Sequence, residues 1–156
     1  MNAPAAVYFE DIALERPVEY GSIPVSAEAI KAFARDYDPQ PFHLDEDAAR
    51  RTHFAGLAAS GWHTCAMMMR LLVDNCFSRV AGLGSPGFDD LRWLRPVRPG
   101  DELHVRARCT DKAPSRSRAD RGRVRMFVEV LNQRDEVVMS VALMAIIARR
   151  HPDTAR

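Results

Sequence analysis

The spacing of apolar and polar residues changes repeatedly along the chain, and each change marks an element. Val18 to Val25 reads as a short strand, weakened by Gly21 and Pro24. Ser26 then offers an N-cap, and Glu28 falls in the first turn, where a helix dipole favours an acid. Ile30, Phe33, Ala34 and Tyr37 recur at the spacing of one buried helical face, and Pro39 ends that helix. Asp45 caps a short helix to Arg51, and His53 to Ala59 is a turn region rich in small residues. Ser60-Gly61 opens the longest helix, to about Ser78. Its apolar residues, from Cys65 and Met67 to Cys76 and Phe77, cover more than one face, so most of it is expected to be buried.

After a glycine-rich loop over Ala81 to Gly87 the period drops to two. Leu91 and Trp93 alternate with Arg92, and Pro99-Gly100-Asp101 marks a turn. Leu103, Val105, Ala107 and Cys109 alternate with polar residues, as do Val124, Met126, Val128 and Val130 after an arginine-rich connection over Ala113 to Gly122. Asn132 to Asp135 is a turn. Val137 to Ile147 is almost wholly apolar and reads as a strand buried on both faces. Residues 1–11 and 149–156 are expected to be loosely ordered ends. Helices segregated from strands predict one α+β domain over residues 1–156, an antiparallel sheet wrapped around the long helix. An apolar sheet edge left open would need cover, which predicts a homodimer or higher homo-oligomer.

Composition narrows the function classes. An apolar content of 47% with 28% charged residues is that of an ordinary soluble domain, and 156 residues suit one core. A net charge of +1 exerts no general pull on nucleic acid or an anionic membrane. The arginines around the 113–122 connection have no interleaved aromatics, which argues against RNA. Three separated cysteines, Cys65, Cys76 and Cys109, fit a reducing compartment better than a disulfide scaffold. The first ten residues carry no signal-peptide pattern, and no apolar run is long enough to span a bilayer, so the cytoplasm is expected. His43, His53 and His63 lie ten apart, which is no recognised metal spacing, so no metal is expected.

The candidate chemistry lies in Asp38-Pro39-Gln40-Pro41-Phe42-His43. Each proline fixes its own φ and pushes the preceding residue out of the helical region, so the backbone from Asp38 to His43 is expected to be stiff and extended. Such a segment holds a carboxylate and an imidazole at a fixed separation. By spacing alone it is equally a proline-rich loop with a surface acid and histidine.

The combination goes further. Asp38-x-Gln40-Pro41-x-His43-x-Asp45, then Phe54-Ala55-Gly56-x-x-x-Ser60-Gly61-x-His63, then Leu94-Arg95-Pro96-Val97-x-Pro99-Gly100-Asp101, resembles the MaoC-like dehydratase family of R-specific enoyl-CoA hydratases. Gln40 stands for that family's usual Asn, and Ser60 for a common His. The resemblance implies a hot-dog fold, an acyl-CoA substrate and no further cofactor. It also implies that Asp38 and His43 hold a water and pass its proton during addition or removal of water across the 2,3 bond of an enoyl thioester. Helix starts offer free N–H groups and a positive dipole end, so the Gly61 N–H is the candidate oxyanion donor. Gln40, Ser60, Trp62, His63 and Met67 are candidate substrate contacts, His63 being equally readable as a core histidine and Met67 as core filling. Arg116, Arg118, Arg121 and Arg123 are candidates for CoA phosphates or a solvated hairpin. Two other readings stay open. A hot-dog thioesterase would want an acid on the long helix near its start, and the first there is Asp74, far along it. A non-catalytic acyl-thioester-binding subunit is the other.

Overall fold

The computed structural model describes residues 6–152. Strand β1 (Val18–Pro24) is followed by helices α1 (Ala27–Tyr37), α2 (Pro41–Leu44), α3 (Glu46–Arg50) and α4 (Gly61–Asn75). Four strands complete the fold: β2 (Gly87–Trp93), β3 (Glu102–Pro114), β4 (Arg121–Leu131) and β5 (Val137–Ala148). They form one antiparallel sheet in the order β1-β3-β4-β5-β2. Hairpins join β3 to β4 and β4 to β5, as the two-residue alternation requires. The interior strand β5 buries consecutive residues, Val141, Ala142 and Leu143, and so faces apolar neighbours on both sides.

The sheet curls around α4. Met67, Met68, Leu71 and Leu72 pack on Leu103, Val105, Ala107, Val128, Val130 and Val141. Full burial of each such side chain stabilises the fold by roughly 1.5–3 kcal/mol. Caps fall where expected: Ser26 Oγ accepts from Ala29 N at 3.1 Å, and Asp45 Oδ1 from Ala48 N at 2.7 Å.

Four expectations need correction. First, α4 buries one face only: Trp62, Met69 and Val73 stay exposed, because the sheet covers a single side of the helix. Second, α4 ends at Asn75, and Phe77–Arg79 is a separate 3-10 turn. Third, the ends are not loose where they are described. Phe9 is buried against Cys109, Val124 and Ile147, and Lys112 Nζ donates to the carbonyls of Phe9 and Ile12 at 3.2 and 2.6 Å. Gly122 makes room for this docking, since a Cβ there would lie 2.4 Å from the Phe9 ring. Glu10 in turn accepts from Arg149 Nε at 3.4 Å and from Arg150 N at 3.0 Å, so the two ends hold each other. Residues 1–5 and 153–156 lie outside the described residues. Fourth, the path from Asp38 to His43 is extended only through Gln40. Pro41 opens the helical turn α2, because its fixed φ suits the first helical position and its missing N–H costs nothing there.

Candidate active site

Asp38 is the C-cap of α1, and its backbone (φ −152°, ψ 66°) turns the chain out of the helix. Two residues later α2 begins, and its single turn carries His43 back toward the same point. His43 Nε2 lies 3.3 Å from Asp38 Oδ2, and His43 Nδ1 lies 2.6 Å from the Ala58 carbonyl oxygen. Only a protonated Nδ1 makes that second contact favourable, so Nδ1–H donates to Ala58. The Nε2 of a neutral ring is then a bare acceptor facing a carboxylate oxygen. Two acceptors at that distance are satisfied by a proton between them, or by a water that donates one hydrogen to each.

Three groups set the state of Asp38. Partial burial pushes its carboxyl up. The Ser60 hydroxyl, the Gln40 amide and the charge of the His43 ring when it is protonated outweigh burial and hold it below the ordinary carboxylate range. The Gln40 contact is direct, Nε2 donating to Oδ1 at 2.6 Å. Ser60 is fully buried; its Oγ also accepts from Trp62 N at 3.2 Å. Gln40, one of the two residues that depart from the expected pattern, is thus hydrogen-bonded to Asp38 at the surface, and Ser60, the other, caps α4 and acts on the same carboxyl.

A cavity of about 460 Å³ opens beside this pair. His43, Gly61, Thr64, Phe54, Trp93 and Arg95 are among its lining residues. Gly61 is the first residue of α4, and its N–H has no intrahelical acceptor. Trp93 covers it: the indole Nε1 donates to the Gly61 carbonyl at 3.0 Å, and a Cβ on residue 61 would lie 2.3 Å from the indole ring. Arg98 ties down the segment that carries Phe54, donating to the carbonyls of Gly56 and Leu57 at 2.8 and 3.3 Å and also to that of Phe54.

His43 and Gly61 thus meet at one cavity; Asp38 is not among its lining residues and reaches it through His43. Other expected contacts do not. Trp62 is exposed and packs edge-on against Trp93, with ring centroids 5.4 Å apart. Met67 is core filling under the sheet. His63 does not line this cavity: it stacks on Phe33 with centroids 4.8 Å apart, and its buried Nδ1 has no hydrogen-bond partner, so it is not a satisfied core histidine either. Burial lowers its pKa. Arg116, Arg121 and Arg123 line a different cavity with Pro86, Pro114 and Ile146, well along the sheet from Trp93. Trp93 and Thr64 line the site with no expected role in it, and His53, weighed above only as a metal ligand, lines it too. Only Trp93 carried a signal, a large aromatic two residues before Arg95-Pro96. The described residues bring together no group of three or more histidines, cysteines or acids that could hold a metal ion. None of the helices they form is long and apolar enough to cross a membrane.

Residues 10–130 match the profile of the MaoC-like domain. A MaoC-like dehydratase from Rhodospirillum rubrum is 46% identical, with a TM-score of 0.84 over 94% of this chain and 99% of its own. The R-hydratase PhaJ1 of Pseudomonas aeruginosa is 26% identical, with a TM-score of 0.74 over 94% of this chain and 88% of its own. The 3-hydroxybutyryl-CoA dehydratase of Methylorubrum extorquens is 30% identical over 115 residues, 72% of this chain and 70% of that protein. With a profile match over most of its length and a sheet wrapped on one long helix, the chain belongs to the MaoC-like domain family and has the hot-dog fold.

Proposed function

We propose that the protein is a hydro-lyase that adds or removes water across the 2,3 bond of a 2-enoyl-CoA thioester. The observation that carries this reading is the facing pair of acceptors, Asp38 Oδ2 and His43 Nε2, 3.3 Å apart beside a cavity that Gly61 also lines. In hydration, a water held by the pair delivers its oxygen to C3. Its released proton passes through the pair, and C2 takes up one proton, so none is gained or lost overall. The ionised Asp38 steadies the imidazolium that forms in passing. Negative charge gathers on the thioester oxygen, which accepts from the Gly61 N–H; one such donor is typically worth about 3 kcal/mol of barrier. Gln40 and Ser60 act on Asp38 and set the state of its carboxyl. The CoA thioester is the substrate, and the reaction needs no further cofactor. Similarity to a dehydratase and an R-hydratase supports this chemistry.

The apolar residues left exposed near β2 (Phe88, Trp93 and Leu94, with Trp62 and Met69 on α4) fit a homodimer formed along that edge. A cytoplasmic location fits the composition. Asp74, the first acid of α4, pairs with Arg70 at 2.7 Å on the surface, which disfavours a thioesterase. The test is a panel of trans-2-enoyl-CoA substrates with assay of product stereochemistry. Loss of the enoyl absorbance with formation of the R-3-hydroxyacyl product is expected. Release of free CoA without hydration would transfer the site to thioester hydrolysis, and binding without turnover would make it a carrier.

A further inference from the structure

The cavity carries positive charge that the proton chemistry does not use. Arg95 and His53 both line it, both are exposed, and no aspartate or glutamate is among its lining residues. The Arg95 backbone is fixed: Leu94 N and Arg95 N both donate to the Val138 carbonyl, at 2.8 and 3.3 Å, and Pro96 follows. Its guanidinium has no ion pair or side-chain hydrogen bond among the described residues. Glu136, an acid its charge reaches, is already held by Asn132 and Arg134. Arg98, three residues on, shows the opposite case, with its guanidinium spent on backbone carbonyls. A guanidinium presents a planar fork of donors that suits a carboxylate or phosphate.

We propose that Arg95, with His53, forms an anion subsite at the mouth of the cavity and holds a negatively charged group of the substrate. The proposal rests on the hydro-lyase reading of the site. The anion has two possible sources: a phosphate of the CoA carrier, or a carboxylate at the far end of the acyl group. Both offer paired oxygens to the fork.

The experiment compares the intact protein with Arg95→Gln, using Arg92→Gln, an exposed arginine of β2 outside the cavity, as control. Three substrates separate the sources: crotonyl-CoA, crotonyl N-acetylcysteamine thioester, and an N-acetylcysteamine enoyl thioester with a distal carboxylate. If CoA phosphate is the anion, Arg95→Gln lowers kcat/KM for crotonyl-CoA by about tenfold or more, through KM, and spares the uncharged thioester. If the acyl carboxylate is the anion, the same loss falls on the carboxylated thioester alone. Equal loss on the uncharged thioester, no loss on any substrate, or the same loss in Arg92→Gln would overturn the subsite. Should the unmodified protein turn over none of the three, the hydro-lyase reading fails. Calorimetry with CoA and with succinyl N-acetylcysteamine then reads the subsite directly: weaker binding of either ligand by Arg95→Gln upholds it, and equal or absent binding of both overturns it.

Discussion

The Gln40 amide, hydrogen-bonded to Asp38, and the Ser60 hydroxyl lower the carboxyl's pKa against the burial that raises it. Removing either donor raises its pKa toward the ordinary value near ~3.9. In a carbon-13 carboxyl titration, Gln40→Ala and Ser60→Ala are each expected to move the Asp38 midpoint up; unmoved midpoints would remove these residues from the account. The sign for stability follows. A depressed folded pKa contributes stability that is fully present above the unfolded pKa and is lost as pH falls through the folded one. Asp38, His43 and Gly61 were readable as site candidates because residue type, proline spacing and a helix start all constrain chemistry locally. The tie from Gln40 and Ser60 to the acid was not readable. In sequence they looked like substitutions in a substrate-binding pattern, and only their folded positions show which atom they meet.

Among the elements, the start of α4 depends on β2. Trp93 lies over Gly61 closely enough that a methyl group there would collide with its ring. Gly61→Ala therefore must push the indole off its hydrogen bond to the Gly61 carbonyl, at an expected cost of about 1–3 kcal/mol. In urea unfolding, that cost should shrink in a Trp93→Ala background; strictly additive costs would show that the two do not touch. The strands and long helices were legible from period alone: β3 and β4 alternate, β5 does not, and α4 begins where Ser60-Gly61 stands. Two features misled. Prolines around Gln40 suggested extension as far as His43, yet proline is equally suited to the first position of a helix, and α2 starts there. The apolar composition of α4 suggested burial all round, yet one sheet covers one face.

At the scale of the whole molecule, α4 leaves Trp62 and Met69 exposed and the β2 edge leaves Phe88, Trp93 and Leu94 exposed, with Trp62 packed against Trp93. Such an exposed apolar set calls for a partner. A homodimer is expected in solution by light scattering, and Phe88→Lys at that edge should shift it to monomer; a monomeric unmodified protein would refute the β2 interface. The pairing of the two chain ends, Glu10 with Arg149 and Arg150, escaped the sequence because nothing local marks partners so far apart. The assay that bears most directly on the proposed chemistry is crotonyl-CoA hydration by the intact protein beside Asp38→Asn and His43→Gln, with circular dichroism to confirm that each variant is folded. The expected result is clear hydration by the unmodified protein and a fall in kcat of about 10²–10⁴-fold in each variant. Near-normal hydration by both folded variants would contradict the assignment of the water to Asp38 and His43.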